Sequence, residues 1–229
     1  MSHTRQLLLC ASCANELSKV GDGNLIRLKT GQPASLSSDI DVLITGVGIF
    51  QTIYHLTNAL RDRDYRMVLT AGIAGDFVAD RTLCQMYAVT RATFADCGFE
   101  GYDGRYLPIT GSIFLDANEY PFHDGYIYNK ASEELAANIG LQTATVNTVN
   151  RICTEKGYVD KMLQQFPADL ETMESAAFGY TCAMRHVDYA EIRCTTNHIA
   201  PKNKEKWQLD GALCVLGKSL ERILKEICN

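Results

Sequence analysis

Short apolar runs of strand length alternate with segments of helical period along almost the whole chain. No other feature limits the possible architectures as strongly. Residues 6–10, 25–28, 40–44, 67–70, 86–90, 143–149, 170–172 and 189–194 read as strands. Between them, 49–60 puts Ile49, Ile53, Leu56 and Leu60 on one helical face, and 133–138, 160–166, 176–184 and 205–227 read as further helices. Such alternation predicts an α/β fold around a mostly parallel sheet. No linker, repeat or low-complexity segment interrupts it, so one domain spanning residues 1–229 is expected. The stretch 94–128, rich in Gly, Asp, Tyr and Phe, reads as loops and short strands.

Composition removes several functional classes. With 46% hydrophobic and 21% charged residues the chain is globular rather than disordered. Its formal net charge is -5 and its Lys and Arg residues are scattered, so no basic face for nucleic acid is expected. The one cluster, Lys202-Asn203-Lys204-Glu205-Lys206, reads as a solvated helix start. No apolar run reaches the length of a membrane span, and residues 7–10 are too short for a signal-peptide core. A cytoplasmic protein with no membrane partner is expected. The nine cysteines sit mostly in apolar segments, and Cys10-Ala11-Ser12-Cys13 lacks a second ligand pair. The five histidines have no ligand spacing, so neither a metal nor a cofactor is expected.

The polar residues that stand out fall where predicted strands end, and in open α/β sheets ligands bind beyond those ends. In Thr172-Met173-Glu174-Ser175-Ala176-Ala177 a carboxylate sits between a strand and a helix of small residues. Held there, it can accept hydrogen bonds from two adjacent hydroxyls, as on a ribose, and face a cation forming beside them. Thr45-Gly46-Val47-Gly48 reads either as a tight strand–helix turn or as part of a dinucleotide loop, although Gln51 stands at the third glycine position. Ala71-Gly72-Ile73-Ala74-Gly75 reads as a second turn, either structural or open to close approach by a small ligand.

Together, Gly46-Val47-Gly48, Gly72-Ile73-Ala74-Gly75, the Thr172–Ala177 stretch and Arg193-Cys194-Thr195-Thr196-Asn197 resemble the nucleoside phosphorylase/nucleosidase superfamily, in this order and over nearly the whole chain. Thr-Met-Glu before small residues, and an Arg strand ending in Asn ahead of Trp207, look most like its futalosine hydrolase branch. The resemblance implies a three-layer fold: a twisted mixed, mostly parallel sheet, partly closed as a barrel and flanked by helices. It implies a homo-oligomer, a dimer or higher. It also assigns roles. Glu174 is expected to bind the ribose over Met173, and Glu16 to activate water as co-substrate. Arg193 is expected to order that region, and Ala74 and Gly75 to cradle the sugar. Residues 149–152, with Arg151 and Ile152, are expected to lie along the base, where they depart from the Ser-Gly-Asp-Ala-Phe pattern of adenosine-type nucleosidases.

Asn197 stands where adenosine-type nucleosidases carry Asp. An amide both accepts from a protonated ring nitrogen and donates to a 6-oxo group, so a hypoxanthine leaving group is expected. The loop Ala11-Ser12-Cys13-Ala14-Asn15-Glu16 has no cation before Lys19 to hold phosphate, which favours hydrolysis. Arg91 or Arg105 is expected to meet a carboxylate on the 5′ side. A methylthioadenosine/S-adenosylhomocysteine-type nucleosidase, a purine nucleoside phosphorylase and a non-enzymatic nucleoside-binding module are the competing readings.

Overall fold

The computed structural model describes residues 5–21, 23–199 and 207–227. The 202–206 cluster and the start of the predicted last helix lie outside them. The strands are β1 (Arg5–Ala11), β2 (Ala34–Ser35), β3 (Ile40–Ile44), β4 (Tyr65–Asp76), β5 (Met86–Phe94), β6 (Gly98–Glu100), β7 (Tyr106–Pro108), β8 (Ile127–Tyr128), β9 (Gln142–Thr148), β10 (Leu170–Thr172) and β11 (Asp188–His198). The helices are α1 (Ile49–Asp62), α2 (Lys130–Ile139), α3 (Lys156–Gln165), α4 (Ser175–Met184) and α5 (Leu209–Ile227).

Among the described residues nine strands form one mixed sheet, in the order β10-β9-β5-β11-β4-β1-β3-β2 with β8 on β5. A further pairing of β10 with β4 closes β4, β11, β5, β9 and β10 into a five-stranded barrel. β4 makes this possible. Its first half pairs with β1, its length with β11, and its last residues with β10. The segment 71–75 is therefore continuous strand, not the turn that its glycines predict. The ladder to β11 runs through it, and small residues allow a bend and close approach there. The predicted strand at 25–28 is also corrected: Asn24–Arg27 is a 3-10 turn whose residues are not buried. Its apolar pair Leu25 and Leu28 packs against the core edge without joining the ladder.

The alternation along β1 shows how the layers form. Leu7, Leu9 and Ala11 face α5 through Ala212, Leu216, Leu220 and Ile223, whereas Leu8 and Cys10 face α1 and α4 through Leu56, Leu60, Phe178 and Cys182. Cys10 and Cys13 consequently diverge, one into the core and the other half-buried beside the loop after β1, and burial pushes both thiols up. Gly46 and Gly48, between β3 and α1, have φ of 85° and 91°, a region that favours glycine.

Gly217 lies on the buried face of α5, where a Cβ would stand 2.5 Å from the Lys19 carbonyl oxygen. Glycine-to-alanine changes stabilise exposed helix interiors by about 1 kcal/mol. Gly217→Ala is expected to do the reverse, lowering unfolding free energy in urea by ~1–3 kcal/mol because backbone must move.

Candidate active site

A cavity of about 270 Å³ opens beyond the ends of β1, β4, β10 and β11. Glu16, Ala74, Gly75, Ile152, Met173, Glu174 and Asn197 all line it, drawn from five separate segments of the chain.

Glu16 lies in the 3-10 turn Ala14–Leu17 and reaches back over its own N-terminus, as in a capping box. The Ser12 amide and hydroxyl donate to its Oε2 at 2.8 and 2.7 Å, and the Cys13 amide at 3.2 Å. The Ile73 amide of β4 donates to Oε1 at 2.9 Å. Oε2 is therefore saturated, while Oε1 keeps a lone pair for another donor. This carboxylate is fixed but not used up.

Glu174 occupies the position before α4 yet does not cap it. The Ser175 amide donates instead to the Thr172 hydroxyl, and the Ala176 amide to the Thr148 hydroxyl. With those helix-end donors satisfied, the Glu174 side chain is released into the cavity. The Gly48 amide donates to its Oε1 at 2.8 Å, which gives the left-handed glycine turn a role. That turn thus anchors a side chain of the cavity, and Gln51 packs against Gly46 where a third glycine would belong. Burial pushes the Glu174 carboxyl up to about 7, with Arg193 opposing the shift and Glu16 adding to it.

Arg193 does not line the cavity but lies beneath it, 1% exposed. Its Nε donates to Glu191 Oε1 at 2.7 Å, its Nη1 to the Ile73 carbonyl at 3.4 Å, and Nη1 stands 3.8 Å from Glu174 Oε2. Ser175 donates its hydroxyl to the same Glu191 oxygen at 2.5 Å. Burial works against the guanidinium's charge, but Glu191, Glu174 and Glu16 together hold it on. A Cβ on Gly72 would strike both Arg193 Nη1 and Glu16 Oε1, so the absent side chain lets strand, cation and carboxylate converge.

Asn197 is the penultimate residue of β11 and follows a register shift in its ladder to β4. The Thr196 hydroxyl donates to its Oδ1 at 2.8 Å, which turns Nδ2 away from Thr196. Nδ2 is the Asn197 atom that a Cβ on Gly75 would approach, at 3.6 Å.

Three arginines with an expected site role do not line the cavity. Arg151 turns away from the cavity and places its guanidinium over the Tyr158 ring, 5.1 Å from its centre, in a neighbouring cavity. Arg91 donates to the Thr145 hydroxyl and lies over Tyr126, and Arg105 pairs with Asp103. Two buried acids that no sequence motif singles out are Glu191, which holds Arg193 and Ser175, and Glu171, which lines the cavity. Each is an acid inside a buried strand, which is itself a signal, since unpaired acids are rarely buried. Glu191 also shares a strand face with Arg193 by its spacing of two.

Comparison with known proteins gives the family and the fold. The sequence profile of the phosphorylase superfamily matches residues 55–227. A futalosine hydrolase of Streptomyces coelicolor is 28% identical over 166 residues, 72% of this chain and 68% of the relative. One from Thermus thermophilus is 26% identical over 189 residues, 80% of each. In structure, a mutant Helicobacter pylori 5′-methylthioadenosine/S-adenosylhomocysteine nucleosidase with 5′-methylthioadenosine in its active site aligns with a TM-score of 0.72 at 15% identity, over 97% of this chain and 99% of that one. The futalosine hydrolase of Helicobacter pylori aligns with 0.69 at 14%, over 98% of each.

Arg193→Met removes the cation and leaves carboxylates buried without it. Breaking one side of a buried ion pair costs ~3–5 kcal/mol. Chemical denaturation is expected to show a loss of that size.

Proposed function

This chain belongs to the phosphorylase superfamily, and from that premise we propose that it hydrolyses the N-glycosidic bond of a 6-oxopurine nucleoside, with futalosine as substrate and hypoxanthine released. One observation carries the reading: Glu16 and Glu174, remote in sequence, line the same cavity as Asn197. The futalosine hydrolases similar to this chain supply the substrate.

Cleavage builds positive charge on the ribosyl ring and negative charge on the base. Glu174 accepts the hydroxyls of the pentose over Met173, and its charge favours the cationic ring. Its preference for the neutral form is offset by Arg193 below and by the donating hydroxyls. A water at the spare lone pair of Glu16 Oε1 gives up its proton as its oxygen bonds to the anomeric carbon. Among the described residues no lysine or arginine lines the cavity, which supports water rather than phosphate as nucleophile. The Asn197 Nδ2 donates to the carbonyl of the base.

A second copy of the chain completes the picture. Val47 at the cavity mouth, Phe50 and Tyr54 are all exposed and follow one face at the start of α1. A clustered apolar stripe of this kind marks a contact surface, and a homo-oligomer is expected in sedimentation.

Purified protein is expected to release hypoxanthine from futalosine without phosphate, and phosphate-dependent turnover would overturn the hydrolase reading. Glu16→Gln is expected to lower kcat by about 10²–10³. Because Glu174 acts as its carboxylate, kcat/KM should rise with pH through about 7. Asn197→Asp should shift selectivity from 6-oxo toward 6-amino purine nucleosides by about 10² in the ratio of kcat/KM.

A further inference from the structure

Glu171 is a third buried carboxyl in the same cavity, beside Glu16 and Glu174, and the mechanism above does not use it. It is 5% exposed, and its Oε2 has no hydrogen-bond partner among the described residues. Among the described residues no cation forms an ion pair with it. Of the charged groups around it, Asp96 in the loop after β5 has the strongest field. Asp76, next to Gly75 on β4, is engaged by the Val78 amide and Arg81. Arg151 is stacked on Tyr158, and Glu16 and Glu174 line the same cavity. A carboxyl that is buried, unpaired and next to another acid holds its proton; burial first, then Asp96, pushes Glu171 up to about 8.

Position gives that proton a use. On β4, Gly75 is the register partner of Glu171 on β10 and of Asn197 on β11. The two side chains therefore flank one glycine from the strands on either side of β4, and both line the cavity together with Ile152. The departing base needs a proton, and an amide has none to give at ordinary pH. Asn197 can orient the base and stabilise its charge, but it cannot act as an acid.

We propose that Glu171 is the general acid that protonates the leaving base. This rests on the nucleoside hydrolase reading. As the C1′–N9 bond breaks, its electron pair stays with the base, and the Glu171 carboxyl proton passes to a ring nitrogen. The water oxygen bonds to C1′, and its proton goes to Glu16. Glu171 ends as a carboxylate and Glu16 as an acid, and proton exchange with solvent restores both. The rival role is structural: Asn147 on β9 is the register partner of Glu171, and its Oδ1 also has no partner among the described residues, so in that role the proton serves that atom alone.

The test compares wild type and Glu171→Gln on futalosine and on N7-methylated futalosine in its cationic form, whose base departs without taking up a proton. Loss of a general acid costs about 10²–10⁴-fold, so kcat on futalosine should fall by that factor, and the loss on the methylated substrate should be at least about tenfold smaller. Wild-type kcat should decline as pH rises past about 8, and the variant should lack that decline. Equal losses on both substrates, no loss on either, or a retained alkaline decline would overturn the assignment. Cleavage of the methylated substrate also shows that the variant is folded. If wild type releases no base from either substrate without phosphate, the hydrolase reading fails and takes this one with it; if only the variant's selectivity is wrong, this one fails alone.

Discussion

The buried guanidinium of Arg193 is the interaction on which the site depends. Three acids, Glu16, Glu174 and Glu191, raise or sustain its charge from within a region that excludes water. Without that cation they would repel one another, and Glu174 would hold its proton more tightly. Ion pairs of this kind seldom add net stability over an apolar core of the same shape, because both charges lose hydration. Its value here is placement. Glu191 locks the Nε end and Ser175 at the same time, which leaves the Nη1 end toward Glu174 and the Ile73 carbonyl.

The barrel closure serves the same end. β4 passes from β1 to β10 while staying on β11, so residues from the beginning, middle and end of the chain meet at its carboxyl-terminal half. That half is built from Ala71, Gly72, Ile73, Ala74 and Gly75, and the small residues are what let the neighbours approach. Gly72 admits Arg193 and Glu16, and Gly75 admits Ile199. The cavity then holds carboxyls in unlike surroundings. Glu16 is bound by four donors, Glu174 is partly compensated by Arg193 and Gly48, and Glu171 is uncompensated. Separation of their environments is what lets identical side chains take different parts.

Much of this is legible in the sequence. The strands at β1, β3, β9 and β10 and the helices α1 and α4 follow from apolar period and length, because burial on a sheet or against it leaves a direct mark on composition. Glu16, Glu174 and Asn197 could be singled out because each sits at a strand end or in the loop beyond it. Arg151 could not be placed, since a loop side chain chooses among partners by tertiary proximity, and Tyr158 from α3 offered a ring. The 71–75 segment misled for a physical reason: glycine marks turns and close strand contacts alike, and only the ladder to β11 distinguishes them.

The sequence by itself determined the alternating α/β architecture, the layers on either side of β1, and the presence of two carboxylates and an amide at strand ends. Those are local properties, written in periodicity and residue type. Tertiary structure decided which of the acids are paired with a cation and which face the same cavity. That depends on burial and on partners contributed by distant strands, as with Glu171 and Asn197 on either side of Gly75, and no local pattern carries it.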